Sequence, residues 1–305
     1  MSSCIARSVI VLAASSVFLM GCGGGTSITS CPTSAVFSFT AINAAGDTFT
    51  QLLGINNSGK IAGYHGSGAD AQHPNQGFTL VPTMTFTTEN FPNSVQTQVI
   101  GINTKGDTAG FYIDGAGITH GFLDVGGTFT TVDAPNTSFN QLLGLNDKGQ
   151  AAGYSQDQNG TQHPYTVQGT TFTAITTPGL SAQATGVNNN GDVSGFYVDS
   201  AGVNHGYVIP AGKTLVMIDV AASTLTQALG LNNHGEVVGT YTDAANKMHG
   251  FIYNIASAKF ETIDETNGVG TTLVNGINDS GSIVGFFVDT AGNTEGFMGK
   301  VTGCK

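Results

Sequence analysis

The strongest constraint on this chain is a phrase that it repeats six times. It first reads Gly54-Ile55-Asn56-Asn57-Ser58-Gly59-Lys60-Ile61-Ala62-Gly63-Tyr64, and it restarts at Gly101, Gly144, Gly186, Gly230 and Gly276. The starts are 47, 43, 42, 44 and 46 residues apart by subtraction. A fixed period of that size marks a repeat architecture, in which each unit buries its faces only against its neighbours.

One unit holds four short β-rich runs separated by turn residues. In the second unit these are expected at 97–102 (A), 107–113 (B), 118–124 (C) and 128–133 (D). The A–B turn, Asn103-Thr104-Lys105-Gly106, suits a type I turn closed by a left-handed residue, a conformation that glycine adopts at little cost. The Asn recurs as Asn56, Asn146, Asn188, Asn232 and Asn278. Between B and C the pattern returns with Asp at Asp114, Asp157, Asp199, Asp243 and Asp289. Four antiparallel strands in a unit of about 44 residues match a propeller blade. The expected fold is all-β: a six-bladed β-propeller, closed by the N-terminal strand. The second glycine of the phrase (Gly63, Gly110, Gly153, Gly195, Gly239, Gly285) falls inside strand B, where it marks close backbone approach. Aromatics such as Phe111, Phe122 and Phe129 are expected to fill the spaces between blades.

Closure follows from counting. Phe39-Thr40-Ala41-Ile42-Asn43 copies strand D of other units, such as Phe172-Thr173-Ala174-Ile175-Thr176, while the last unit ends near Val301 without a strand D. The first strand therefore completes the last blade, with Phe39 expected opposite Phe297. Ahead of it, Arg7, the apolar run 9–20 and Leu19-Met20-Gly21-Cys22 read as a signal peptide over 1–21, too short to span a membrane. The ending resembles a bacterial lipobox, which makes Cys22 the lipidation site. Residues 22–35 form a Gly/Ser/Thr-rich tether, and the propeller domain runs 36–305. With Cys4 in the signal and Cys22 lipidated, Cys31 and Cys304 remain as a disulfide pair in an oxidising compartment. Such a bridge would close a loop of about 274 residues, worth at most roughly 5 kcal/mol.

The phrase, together with His120-Gly121-Phe122, His205-Gly206-Tyr207 and His249-Gly250-Phe251, resembles the bacterial extracellular HAF-type repeat. The likeness spans nearly all of residues 37–301. It departs in having Gly where that family commonly has Ala, and in lacking the Trp that often follows the aromatic. It implies secretion and a repeat fold and transfers no catalytic residue.

Histidine holds one position of strand C in four units (His120, His163, His205, His249), with Gln76 and Glu295 in the first and last. Six polar occupants of one position imply a structural hydrogen bond to a neighbouring turn. Catalytic groups should break the symmetry, and the first unit does so in a longer B–C connection carrying His65, Asp70 and His73. These are weak metal candidates, since their spacing matches no strong zinc motif. The chain has no nucleophile elbow, no Cys-x-x-Cys and no phosphate loop. Its formal charge of -11, with Arg7 its only arginine, argues against nucleic acid as a partner.

The charges divide between the two rims of the ring. Lys60, Lys105, Lys148, Lys213, Lys259, Lys300 and Lys305 fall on the A–B and C–D rim with Asp107, Asp124, Asp147, Asp192, Glu236 and Asp279. The opposite rim collects Asp47, Asp70, Glu89, Asp114, Asp133, Asp157, Asp199, Asp219, Asp243, Asp264, Glu265 and Asp289 against Lys247 alone. The expected ligand face is this acidic rim, at Asp114, Asp133, Asp157, Asp199, Asp219, Asp243, Asp264 and Asp289. The expected function is non-enzymatic: a monomeric, lipid-anchored propeller of the outer membrane, periplasm or cell surface that binds a basic protein or glycan. No cofactor is expected beyond weak Ca²⁺ binding. The competing reading is an extracytoplasmic propeller enzyme, a polysaccharide lyase or hydrolase.

Overall fold

Six short meanders, each with one face too apolar to leave in water, have nowhere to bury it except against the next meander. The computed structural model describes residues 37–68, 72–81 and 84–301. Cys22, Cys31, Cys304, Asp70, the signal peptide and the tether lie outside them. The chain forms six four-stranded antiparallel sheets in a ring, with no helix among the described residues.

After β1 (Phe37–Ala41), blade 1 is β2 (Thr50–Ile55), β3 (Ile61–His65), β4 (Gln76–Val81) and β5 (Thr85–Thr88). Blade 2 is β6 (Gln96–Ile102), β7 (Thr108–Ile113), β8 (Thr119–Val125) and β9 (Thr128–Thr131), each end within two residues of expectation. Blade 3 is β10 (Asn140–Leu145), β11 (Gln150–Gln156), β12 (Gln162–Gln168) and β13 (Thr171–Ala174), and blade 4 is β14 (Ser181–Val187), β15 (Val193–Val198), β16 (Asn204–Ile209) and β17 (Val216–Met217). Blade 5 is β18 (Leu225–Leu231), β19 (Glu236–Thr242), β20 (Met248–Asn254) and β21 (Lys259–Ile263). Blade 6 is β22 (Thr272–Ile277), β23 (Ile283–Val288) and β24 (Thr294–Val301), and β1 pairs with β24 as its fourth strand.

That closure agrees with the sequence in topology and differs in register. Phe39 lies opposite Gly299, and Phe297 lies opposite Ala41. The same offset appears in blade 2, where Phe122 faces Thr131 and Phe129 faces Asp124. There the two-residue loop Gly126-Gly127, with φ of 60° and 86°, fixes the register. The aromatic pairs meet diagonally instead, at 5.6 Å for Phe122–Phe129 and 5.5 Å for Phe39–Phe297.

The glycines explain how tightly the ring can be drawn. A Cβ on Gly110 would lie 2.0 Å from the Gln98 carbonyl oxygen, and the other strand B glycines meet the same obstacle. The first glycine of the phrase is equally constrained, because each innermost strand bulges there and its backbone nears that of the next blade. A Cβ on Gly144 would lie 2.8 Å from the Gly186 Cα.

The core sits between blades. Blade 1 gives Leu52, Ile61, Phe78 and Leu80 to a cluster shared with Val284 and Met298 of blade 6. Full burial of each such side chain is worth about 1.5–3 kcal/mol. The interface between blades 1 and 2 departs from this plan. Glu89 stands where the other repeats have Val132, Ile175, Ile218, Ile263 and Ile42, and it accepts a short hydrogen bond from the Thr108 hydroxyl. Asp124 replaces Leu80 of the first repeat, is buried, and leaves Oδ1 without a partner among the described residues. Burial pushes the Glu89 carboxyl above the usual carboxylate range, the Thr108 bond opposes this, and Asp124 adds to the rise.

Candidate functional site

On the rim of the B–C turns, each Asp first builds its own turn. Asp114 Oδ1 accepts the backbone N–H of Ala116 (2.9 Å) and Ile118 (2.8 Å). Asp157, Asp199, Asp243 and Asp289 repeat the two bonds with their own turns. In Asp114, Asp157, Asp199 and Asp243, Oδ2 is left to point at the strand C histidine, whereas Asp289 Oδ2 accepts the Asn293 side-chain amide. Asp199 Oδ2 lies 3.3 Å from His205 Nε2, and the Asp219 carboxylate grips Nδ1 of the same ring at 2.7 Å. His120 lies likewise between Asp114 (3.5 Å) and Asp133 (2.6 Å), and His249 between Asp243 (3.4 Å) and Asp264 (2.8 Å). The three imidazoles stack on Tyr112, Tyr197 and Tyr241. They remain 19–22 % exposed, so solvent reaches them.

The second carboxylate also ties strand D to strand C. Asp133 Oδ1 accepts the Gly121 N–H and Asp219 Oδ1 the Gly206 N–H. Where strand C carries Gln76 or Glu295 in place of His, this partner becomes an amide. Asn90 accepts the Gly77 N–H, and Asn43 accepts the Gly296 N–H while donating to Glu295. His163 is the exception. Thr176 occupies the partner position, and the ring keeps only Asp157, at 3.1 Å, with 56 % of its side chain exposed.

These contacts set the charge of the rim. The backbone N–H of Ile118 holds Asp114 below the usual carboxylate range, and the N–H groups of Val203, Lys247 and Asn293 do so for Asp199, Asp243 and Asp289. For Asp157 the His163 bond is the larger cause. The bond to Asp219 raises His205 against the opposing effect of burial. His249 is raised too, because Asp264 and Asp243 outweigh its burial. The His205 and His249 clusters are thus charged, hydrogen-bonded units that hold a proton more readily than a free imidazole.

The axial end of this rim is a funnel of ≈ 220 Å³ lined by Gln51, Gln98, Gln141 and Gln183 above an aliphatic neck that includes Leu53 and Leu143. Tyr64 and Tyr154 donate to Gln51 and Gln141, each at 2.9 Å, and burial pushes the Tyr154 hydroxyl up to about 12. The rim carboxylates and imidazoles do not line it. Of the metal candidates, His65 turns its Nδ1 to Asp47 at 3.0 Å. Among the described residues no group of three His, Cys, Asp or Glu side chains is arranged to hold a metal ion.

The opposite mouth holds groups that the sequence reading took only as turn formers. Asn56 Oδ1 accepts the N–H groups of Ser58 and Lys60, as an Asp would. Its Nδ2 then donates to the Asn103 carbonyl of the next blade at 2.9 Å, which an Asp could not do. Asn103, Asn146, Asn188, Asn232 and Asn278 each do the same, the last returning to Asn56. The signal was the consistent choice of Asn in one turn and Asp in the other. Beside this ring, Asp147 and Asp279 stand in blades 3 and 6, across the axis from each other. Burial opposes their ionisation, but donors from Thr104 and Asn189 around Asp147, and from Asn233 and Asn57 around Asp279, hold both below the usual range.

No family model and no curated relative matches the chain. Solved structures do. TolB from Acinetobacter baumannii aligns at 12% identity and a TM-score of 0.54, over 84% of this chain, which spans 65% of that one. An Aleuria aurantia lectin mutant in complex with Fucα1-6GlcNAc aligns at 11% and 0.53, over 88% and 93%. The β-propeller domain of the Trilobed protease from Pyrococcus furiosus aligns at 9% and 0.52, over 85% and 96%. The likeness is one of fold. It carries no site residue across.

Proposed function

We propose that the protein is a non-catalytic binding propeller of the cell envelope, exported by its signal peptide, held by lipid on Cys22, and presenting the acidic rim to a basic protein or glycan. The observation that carries this reading is the threefold Asp–His–Asp cluster of blades 2, 4 and 5, which is repeated around the rim instead of converging on one point. A catalytic centre needs acid and base groups aimed at a single reacting atom. The axial funnel offers amides and aliphatic side chains there. β1 enters from the rim of the C–D turns, so a lipid at Cys22 leaves the acidic rim facing away from the membrane. Envelope location is the setting that a lipobox-like Cys22 and the TolB likeness favour together.

The carboxylates act on a partner mainly through their summed field, since their lone pairs already serve backbone N–H groups and imidazoles. For the same reason Ca²⁺ affinity at the rim is of millimolar class. The test is calorimetric titration of full-length protein with a lysine-rich peptide, at low and at physiological salt. Binding that weakens with salt, and weakens again in the Asp133→Asn/Asp219→Asn/Asp264→Asn variant, supports the reading. Binding indifferent to both, or no binding at low salt, removes the acidic rim as the functional face.

A further inference from the structure

The groove between blades 6 and 1 opens as a cavity of ≈ 250 Å³ on the rim opposite the Asp–His–Asp clusters. Its floor is apolar, formed by Ile42, Ile61, Leu80 and Met298, and its lip carries Ser280, Ser282 and Lys300. Two residues depart from the repeat here. Ser282 occupies a position that is Lys60, Asp107, Gln150, Asp192 or Glu236 in the other five units, and it is too short to reach across the groove as Lys60 does in the next one. Lys300 occupies a position that is Val81, Val125, Gln168, Pro210 or Asn254 elsewhere, so a cation is added at the mouth.

The neighbouring groove indicates what such a cation is for. Between blades 1 and 2 the counterpart of Ser282 is Lys60, which reaches across to blade 2. Its Nζ would lie 3.6 Å from a Cβ on Gly106, and its charge lowers the pKa of Glu89 in that groove. There the protein supplies both the ammonium and the carboxylates, Glu89 and Asp124. In the seam it supplies the ammonium alone, because Ile42 and Leu80 stand where the acids would be. Lys300 is exposed and forms no ion pair among the described residues. The Ser282 hydroxyl lies 3.1 Å from the Ser280 hydroxyl, either able to donate, so it can turn to a ligand.

We propose that the seam between blades 6 and 1 is a binding site for a small amphipathic anion, an aliphatic body on the Ile42, Leu80 and Met298 floor with its carboxylate on Lys300 and Ser282. The cavity lies below the ~300–1,000 Å³ of drug-sized sites, which confines it to short-chain acids. An apolar wall with one convergent charged group and one hydroxyl is the usual composition of such sites. The proposal goes beyond the rim reading and is independent of it, since it concerns the other face and another ligand class.

The test uses the full chain and hexanoate, followed through the methyl signals of its methionines by NMR. Met84 and Met298 line the cavity, whereas Met217 and Met248 lie in blades 4 and 5. Hexanoate should shift the Met84 and Met298 signals saturably and leave Met217 and Met248 in place. Hexanamide, the neutral analogue, should bind about tenfold more weakly, as loss of a charge-assisted hydrogen bond implies. Lys300→Gln should lower hexanoate affinity by the same factor without changing that for hexanamide. Ser282→Lys, which restores the cover used in the next groove, should abolish both. No shift at Met84 and Met298, equal affinity for acid and amide, or undiminished binding in Lys300→Gln would each overturn the site. If Ser282→Lys does not fold, the Lys300→Gln comparison decides alone, since that side chain is exposed.

Discussion

The grooves on either side of blade 1 are built to one plan and filled in opposite ways. On one side Ile61 and Leu80 face Ile42 and Met298; on the other, Thr108 and Asp124 face Glu89 and Thr79. The apolar groove has nothing to satisfy, so it tolerates an open lip and a cavity. The polar groove must find a partner for every atom or carry the cost of an unpaired one, and Asp124 Oδ1 is such an atom. Polarity here constrains the neighbours more than it stabilises them.

Moving one acid across should have the largest effect. Leu80→Asp, made together with Lys300→Gln so that no ammonium lies at the mouth, gives the seam the aspartate of the next repeat without Glu89 or Lys60 nearby, and should cost about 3–5 kcal/mol in denaturant unfolding, the penalty of an uncompensated buried charge. A loss under about 1 kcal/mol would mean that the seam is wetter than its lining implies. The reverse exchange, Glu89→Ile with Asp124→Leu, should be neutral or stabilise by up to about 4 kcal/mol. Clear destabilisation would show that the polar groove is itself a stabilising network.

The polar groove should also have its own pH dependence. The folded Glu89 carboxyl is raised above its ordinary 4.5, chiefly by burial, so the folded state holds the proton more tightly than the unfolded chain does. Its contribution is therefore complete below pH 4.5 and is lost as pH rises through the folded value. Glu89→Ile should remove that decline, and superimposable stability–pH curves for the two proteins would contradict it. The smallest effect concerns the rim, where His163 lacks the second carboxylate that holds His205. Thr176→Asp should supply it and add about 0.5 kcal/mol. The gain should appear below about pH 6.5, the ordinary histidine value, and fade above it. A gain independent of pH would point to strand D packing instead.

The sequence carried the strands, the turns and the strand that closes blade 6, because each rests on local chemistry: alternation, Gly at positive φ, Asn or Asp at a turn. It misplaced Phe39 by two residues because aromatic identity is a poor guide to register: in blade 2, the template for that expectation, the Gly126-Gly127 loop sets the offset, and β1 pairs with β24 at the same offset. The histidines of strand C were legible as structural hydrogen-bonding groups. Their partners were not, since Asp133 and His120 are 13 residues apart and meet only when strands C and D pair. The acids of the polar groove were visible only as charges assigned to opposite rims. That Glu89 and Asp124 share one interior depends on how blades 1 and 2 face each other, which no single repeat encodes.

The asparagine ring treats all six junctions alike, so it does not depend on where in the circle the backbone is opened. Every junction between blades is bridged by the same amide-to-carbonyl bond, including the one between the last blade and the first, and the backbone opens inside blade 6, between β24 and β1, where no such bridge lies. Because β1 and β24 lie side by side, joining them and reopening the backbone at Gly126-Gly127 should give a molecule with the same six bridges. The circle, rather than the direction in which ribosomes traverse it, is the unit that the repeat specifies.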